Sequence, residues 1–348
     1  MSLSVVGSIA FDSVRTPFGS ADRELGGSAV YAALAAAHFG PARIVGPVGD
    51  DFGAEHHSLL DEGGVDMSEI DHVSGTKTFS WRGHYEFDLS VAHTDETALN
   101  VFEGWHPHLT RESRDADVLF LAAMDPESQA SVREEWHGQR LCALDTIAYW
   151  IEHKRDALVE AMSHVDVVLL NDQEARELTR TPMLLSAARE ICSWGPQAVV
   201  VKLGEYGCAL LHENRYFSLP GYPLEQIADP TGAGDAFAGG FLGYLGLTQG
   251  ELTSEVLRRA VTYGSVLASY CVEDFGARRI VGLSRQEVEY RAAEFKHMTH
   301  FEHVATAPRP HEGAEGEEPG RLERPHNTPG THGHDSPPPT AGTPNWSA

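Results

Sequence analysis

The sequence predicts an α/β fold: a three-layer, doubly wound, mainly parallel sheet carrying a small β lid. Three observations predict it. Apolar β-branched runs alternate with helical windows, which implies parallel strands covered on both faces by crossover helices. One long, half-polar stretch, TKTFSWRGHYEFDLS (residues 76–90), alternates with period two and has no crossover helix behind it. The 41% apolar content of the 348 residues supplies a large core.

The first strand runs through SLSVVGSI (2–9). The first helix, GGSAVYAALAAAHFG (26–40), ends on a glycine stop. ARIVGPVG (42–49) is a strand, and DFGAEHHSLLDEGG (51–64) is helical. DVLFLAA (117–123) and RLCALD (140–145) are strands separated by the helix ESQASVREEW (127–136). A helix around 154–163 leads to the strand VDVVLLN (165–171). Two short helical pieces follow, then the strands QAVVVKLG (197–204), CALLHE (208–213) and YFSLP (216–220). Residues 11–25 and 76–103 are assigned to the lid as antiparallel strands outside the main sheet; an ordinary edge hairpin is the alternative for 76–90. From about residue 307 the character changes. Residues 307–348 hold nine of the 19 prolines and almost no aliphatic residues. Such a Pro/Gly/His-rich tail is expected to be disordered, leaving 1–306 as one folded domain.

The formal net charge of −25 argues against a nucleic-acid partner. Lysine is nearly absent. Lys77, Lys154, Lys202 and Lys296 leave 22 of the 26 basic residues as arginine, which fits either genome composition or a salt-adapted surface. No apolar run reaches the ~18 residues of a membrane span. The N-terminus lacks a basic leader, so no membrane partner and a cytoplasmic location are expected. The cysteines, Cys142, Cys192, Cys208 and Cys271, are scattered without a CxxC pair. That argues against a disulfide framework or zinc knuckle and for a reducing compartment.

The chemistry concentrates in ADPTGAGDAFAGGFLGYL (228–245), where a helix begins behind a glycine-rich bend. The first N–H groups of a helix lack intrahelical partners, and the helix dipole adds positive potential there. Glycines let the backbone approach a ligand, so Gly232, Ala233 and Gly234 form an anion hole suited to a phosphate. Asp235, in the first helical turn, suits a hydroxyl that must lose a proton. The two together are what phosphoryl transfer from ATP to an alcohol requires. A helix-capping role for Asp235 is the local alternative. No GxxxxGK[ST] occurs, and Phe237 stands where the dinucleotide fingerprint needs a small residue.

DPTGAGDAFAGGFLGYL closely resembles the C-terminal signature of the ribokinase (PfkB) family of carbohydrate kinases. Other pieces follow in family order: GSIAFD (7–12), the double-glycine segment 26–40, VGDDFG (48–53), NDQE (171–174) and VKLGEYG (201–207). The resemblance spans roughly residues 3–298 and implies a ribokinase-like kinase fold using ATP and Mg2+.

The resemblance also implies residue roles. Asp235 would be the general base, with Gly232, Ala233 and Gly234 donating backbone N–H groups to the transferring phosphate. Asn171 and Glu174 would serve the magnesium and phosphate region, Glu174 through water. Lys202, Gly204 and Gly207 would line the nucleotide site. Asp12, Gly26 and Gly27 would face the substrate, Asp12 accepting hydrogen bonds from its hydroxyls. Asp229 and Thr231 would offer backbone oxygens to a monovalent cation, K+. The residues alone leave other readings open. Gly26-Gly27 also fits a simple helix start, Asp12 a turn, Asn171 with Glu174 a capping box, and Gly204 with Gly207 a hairpin turn. Lys202 stands where many members have Thr; it either adds charge beside the phosphates or points to solvent.

Residues 78–105 are unlike a typical short lid. They carry Trp81, Arg82, His84, Tyr85 and Asn100, suited to stacking on a nucleobase or packing on a sugar face. Residues 268–279 fall where the family closes over adenine. The leading expectation is therefore a kinase acting on a hydroxyl of a small sugar or related polyol. A nucleoside kinase is the nearest alternative. A vitamin-type kinase and a non-catalytic nucleotide- or sugar-binding regulator are more distant ones. Lid strands of this kind would want covering, so a homodimer is expected.

Overall fold

The computed structural model describes residues 2–248 and 251–300. β1 (Leu3–Val6) is short and wholly buried. The chain passes through residues 7–9 directly into β2 (Ala10–Thr16) and β3 (Gly19–Gly26), an antiparallel pair outside the main sheet. α1 (Ser28–Ala37), β4 (Ala42–Val48), α2 (Ala54–Glu62) and β5 (Val65–His72) follow. β6 (Phe79–Tyr85) and β7 (Ala92–Ala98) complete the lid. After the short α3 (Arg111–Arg114) come β8 (Val118–Leu121), α4 (Pro126–Glu135), β9 (Leu141–Asp145), α5 (Ala148–His153) and α6 (Arg155–Ser163). Next are β10 (Val167–Asn171), α7 (Asp172–Thr179), α8 (Leu184–Ser193) and β11 (Ala198–Lys202). β12 (Cys208–His212) and β13 (Arg215–Leu219) precede α9 (Ala233–Leu247), α10 (Ser254–Cys271), α11 (Arg278–Val281) and α12 (Arg285–Thr299).

The main sheet has the order β13-β12-β11-β10-β9-β8-β1-β4-β5. It is parallel from β11 to β5. Only a tight turn joins β11 to β12, too short for a crossover, so β12 and β13 run antiparallel. Alternate residues serve two cores. Val118 and Phe120 pack on the α1, α9 and α10 side, Leu119 and Leu121 on the side of α4, α6, α7 and α8. This is why the central strands read as continuous apolar runs, and the three layers follow from it.

Two expectations need correction. Residues 65–72 form an edge strand that the sequence did not announce, because a register shift opposite Arg43–Val45 breaks the alternation of Val65, Met67 and Ile70. The lid, in the order β3-β2-β6-β7, is not purely antiparallel. β2 and β6 pair in parallel because the chain builds α1, β4, α2 and β5 between them. Residues 76–90 hold the first strand of a hairpin that β7 completes, at the edge of the lid rather than of the main sheet. The domain end at 306 and the disorder expected of 307–348 lie outside the described residues. None of the described helices is long and apolar enough to cross a membrane.

From β1 the sheet grows one way through β4 and β5 and the other way through β8 to β11, so the switch point lies between β1 and β8. α9 packs over these two strands between α1 and α10. Its N-terminus therefore opens at the crevice beyond the carboxyl ends of the strands, where open α/β sheets bind ligands.

Candidate active site

Gly232 caps α9 in the left-handed region, at φ 76°. A Cβ there would lie 2.4 Å from the ring of Tyr31, a buried α1 residue that supports the bend from beneath. Only glycine meets both conditions. The Ala233 N–H is drawn into the turn, donating to Pro230 O at 3.3 Å. Of the three donors expected of the anion hole, it is the one already engaged. Gly234 and Asp235 occupy the second and third helical positions, whose N–H groups have no intrahelical acceptor. No side-chain hydrogen bond caps α9, so Asp235 is not acting as a cap. Burial pushes its carboxyl up to about 7, Asp145 adding to the effect and Lys202 opposing it.

β9, β10 and β11 end side by side and bring Asp145, Asn171 and Lys202 together. Asn171 and Lys202 are partners in the parallel register. Lys202 turns inward, not to solvent: Nζ lies 2.6 Å from Asp145 Oδ2, and a methyl group on Gly234 would be 3.1 Å from it. Burial works against its charge, but Asp145, Glu174 and Asp235 outweigh burial and raise its pKa. The capping box is real. Glu174 N donates to Asn171 Oδ1 and Asn171 N to Glu174 Oε2, both at 2.8 Å. Glu174 nevertheless belongs to the charge cluster. Burial raises its carboxyl to about 7, Lys202 opposing and Asp145 reinforcing. Asp145 was missed in the sequence, where its one signal is a carboxylate ending a buried apolar strand.

Asp12 lies within β2 and is buried, which removes the turn reading. Gly26 makes room for it: a Cβ at Gly26 would sit 2.0 Å from Asp12 Oδ2. Burial pushes the Asp12 carboxyl up to about 7, Asp229 and Asp235 adding to it and the Gly27 N–H opposing. Gly27 is the N-cap of α1, so the helix-start reading of the double glycine also holds. In the parallel register Asp12 pairs with Trp81, and Asp12, Val14, Thr16, Trp81, Gly83 and Tyr85 share one lid face. Thr16 Oγ1 donates to Ala228 O at 3.0 Å, and the Tyr85 hydroxyl meets Thr231 Oγ1 at 3.2 Å. This face is therefore held against the loop that leads into α9. Trp81 lies over Gly83 and donates Nε1 to Thr94 Oγ1 at 3.1 Å.

Three residues singled out in the lid do not join this face. Arg82 and His84 alternate to the opposite side, Arg82 near Asp22 (3.7 Å) and Glu96 (3.9 Å), His84 on Asp95 (2.8 Å). Asn100 uses its amide to hold Thr78 O at 2.9 Å. Asp229 Oδ1 accepts Thr231 N at 2.9 Å, and Thr231 O meets Cys271 Sγ at 3.6 Å. Gly204 and Gly207 bracket the 3₁₀ turn Gly204–Tyr206 between β11 and β12, so the hairpin reading is realised there. In the segment 268–279, Arg278 pairs with Glu24 of β3 at 3.1 Å, tying that loop to the lid. Tyr31 was also missed; its hydroxyl is buried without a partner among the described residues.

A family model described as pfkB family carbohydrate kinase matches residues 4–281. A cytidine kinase of Thermococcus kodakarensis is 32% identical over 263 residues, covering 74% of this chain and 92% of that protein. A nucleoside kinase of Methanothermobacter thermautotrophicus is 24% identical over 264 residues, covering 73% and 80%. The solved nucleoside kinase of Burkholderia thailandensis in complex with inosine has a TM-score of 0.70 at 21% identity, covering 85% of this chain and 98% of that one.

Proposed function

The chain belongs to the pfkB family of carbohydrate kinases, and from that premise we propose that it is a nucleoside kinase, phosphorylating the hydroxymethyl group of a nucleoside at the expense of ATP. The weight thus moves from a free sugar or polyol to the nearest alternative. One observation carries the reading: Asp12 and Trp81 are register partners on the same lid face. A carboxylate suited to vicinal hydroxyls beside an indole suited to a base is the pairing a nucleoside needs. The cytidine kinase and nucleoside kinase relatives support the same choice.

In this reading the acceptor hydroxyl lies at Asp235. Asp235 takes its proton, the oxygen bonds to the γ-phosphorus, and the bond to the bridging oxygen of ADP breaks. Gly232, Gly234 and Lys202 stabilise charge on the transferring oxygens. Asn171, Gly204 and Gly207 flank the nucleotide, and Gly26 and Gly27 the acceptor. Glu174 is a hard oxygen donor that fits Mg2+. Among the described residues no three His, Cys, Asp or Glu side chains gather to hold an ion. As the family resemblance implies, Glu174 would reach Mg2+ through water, and the ion when bound would neutralise phosphate charge. Carbonyls at Asp229 and Thr231 would serve K+. A cytoplasmic location and a homodimer through the lid complete the proposal. Light scattering that returns the mass of one 37.9 kDa chain refutes the dimer.

The test is ADP release from Mg–ATP with cytidine, adenosine and inosine against ribose, fructose and inositol, with Asp235→Ala alongside. A kcat/KM higher by ~10² for a nucleoside is expected, because a site built around a ligand's polar groups rejects analogues lacking them. Preference for a free sugar overturns the nucleoside reading. Nucleotide binding without turnover on any acceptor favours the regulator.

A further inference from the structure

We propose that Asp145 is a positioning residue for phosphoryl transfer and acts through Lys202, holding its ammonium in front of Gly234 where the transferring phosphate is to be met. The inference rests on the kinase reading above. Lysine carries its charge on a flexible four-carbon stem, so its place in a site must be fixed by a partner. Three carboxylates compete for this one: Asp145, Glu174 and Asp235 all act on it. Asp145 holds it at 2.6 Å.

The anchor is itself fixed. Asp145 Oδ1 accepts the Thr146 N–H at 2.8 Å, so both carboxylate oxygens are engaged. The backbone behind it is stapled by the fully buried Gln129, whose Nε2 donates to Asp145 O at 2.9 Å and Ala122 O at 3.0 Å. One amide thus ties the ends of β8 and β9 together beneath the ion pair. An ammonium has three donors. Asp145 takes one, which leaves two on an ammonium that lies beside Gly234. Asp145 repels phosphate, so its contribution to the transfer passes through the lysine. Without it, Lys202 turns to Asp235 or Glu174, leaves the phosphate and occupies the base.

The experiment is steady-state kinetics with Mg–ATP and the best nucleoside of the panel, on wild type, Lys202→Met, Asp145→Asn and the double variant. Lys202→Met is expected to lower kcat by ~10², the scale of losing one preorganised charge stabiliser. Asp145→Asn is expected to lower kcat by about tenfold or more with the nucleoside KM nearly unchanged, the signature of an interaction made in the transition state. The double variant is expected to match Lys202→Met within about threefold, because residues acting as a unit are not additive. A double variant that falls further, by the full factor of Asp145→Asn, overturns the inference. So does wild-type kcat in Asp145→Asn, or a loss that appears only as raised KM and lowered Tm. If Asp145→Asn fails to fold because the buried ammonium loses its anchor, the double variant removes both charges, and its comparison with Lys202→Met decides. A wild type without turnover overturns the kinase reading and the inference together, a result distinct from an active wild type with additive variants.

Discussion

Asp12→Asn is expected to stabilise the free protein at pH 8 while impairing catalysis. Asp12 is buried, and its carboxyl stands at about 7 against an ordinary 3.8. Below 3.8 both folded and unfolded chains hold the proton, and the group contributes nothing. Between 3.8 and about 7 only the unfolded chain releases it, so stability falls as pH rises. Above 7 the full cost of the buried charge is present. At about 1.4 kcal/mol per pH unit, that cost has a ceiling of ~4 kcal/mol. Asp229 and Asp235 share the site and adjust their own ionisation, so a gain of ~1–2 kcal/mol is expected from asparagine. In a domain of this size that corresponds to roughly 2–3 °C in Tm. Asparagine keeps an acceptor for the Gly27 N–H and the same volume, so packing is unchanged. Thermal unfolding followed by circular dichroism at pH 5 and pH 8 measures it, the gain growing between the two. An equal shift at both pH values, or a loss at pH 8, would show that the Asp12 carboxylate is not the source of the strain.

Asp235→Asn is expected to keep the fold, with a Tm at pH 8 no lower than wild type by the same burial argument, and lose ~10²–10⁴ in kcat; near-normal turnover would remove the base from the mechanism. Because the Asp235 carboxyl stands at about 7 and must be ionised to act, kcat/KM should rise with pH to a plateau above about 7; a limb near pH 4 contradicts the burial argument. Gly232→Ala combines a left-handed φ of 76° with a Cβ 2.4 Å from the Tyr31 ring. Together these should cost ~2–4 kcal/mol in thermal unfolding, and an unchanged Tm would mean the bend relaxes freely. Tyr85→Phe deletes the 3.2 Å contact to Thr231. The acceptor KM should rise about fivefold, the worth of one ~1 kcal/mol hydrogen bond, and an unchanged KM dismisses the contact.

Much of this was legible before any coordinates. Central strands such as VDVVLLN announce themselves because both faces are buried, and the two cores then follow from alternation along them. The start of α9 was legible because glycine, helix start and carboxylate coincide within four residues. The acid pair of the crevice was only half legible. Asp235 stood in a motif, but Asp145 closes a strand of ordinary composition, and only the register of β9, β10 and β11 makes it the partner of Lys202. Tyr31 escaped for a similar reason: its meaning depends on a glycine two hundred residues away. In the lid, period two correctly marked strands but could not say which face looks inward, so Arg82 and His84 were grouped with Trp81 and Tyr85. The edge strand β5 was lost to a single bulge.

The chain crosses between main sheet and lid four times, at residues 7–9, at Gly26-Gly27, between β5 and β6, and after β7. Four chain crossings tie the lid to the sheet, where a flap would have two. Asp12 is mounted on the lid, whereas Asp235 stands on α9. In the proposed kinase, the distance between Asp12, which would grip the acceptor, and Asp235, which would deprotonate it, is thus set by how the lid is seated on the sheet rather than by the helix that carries the base.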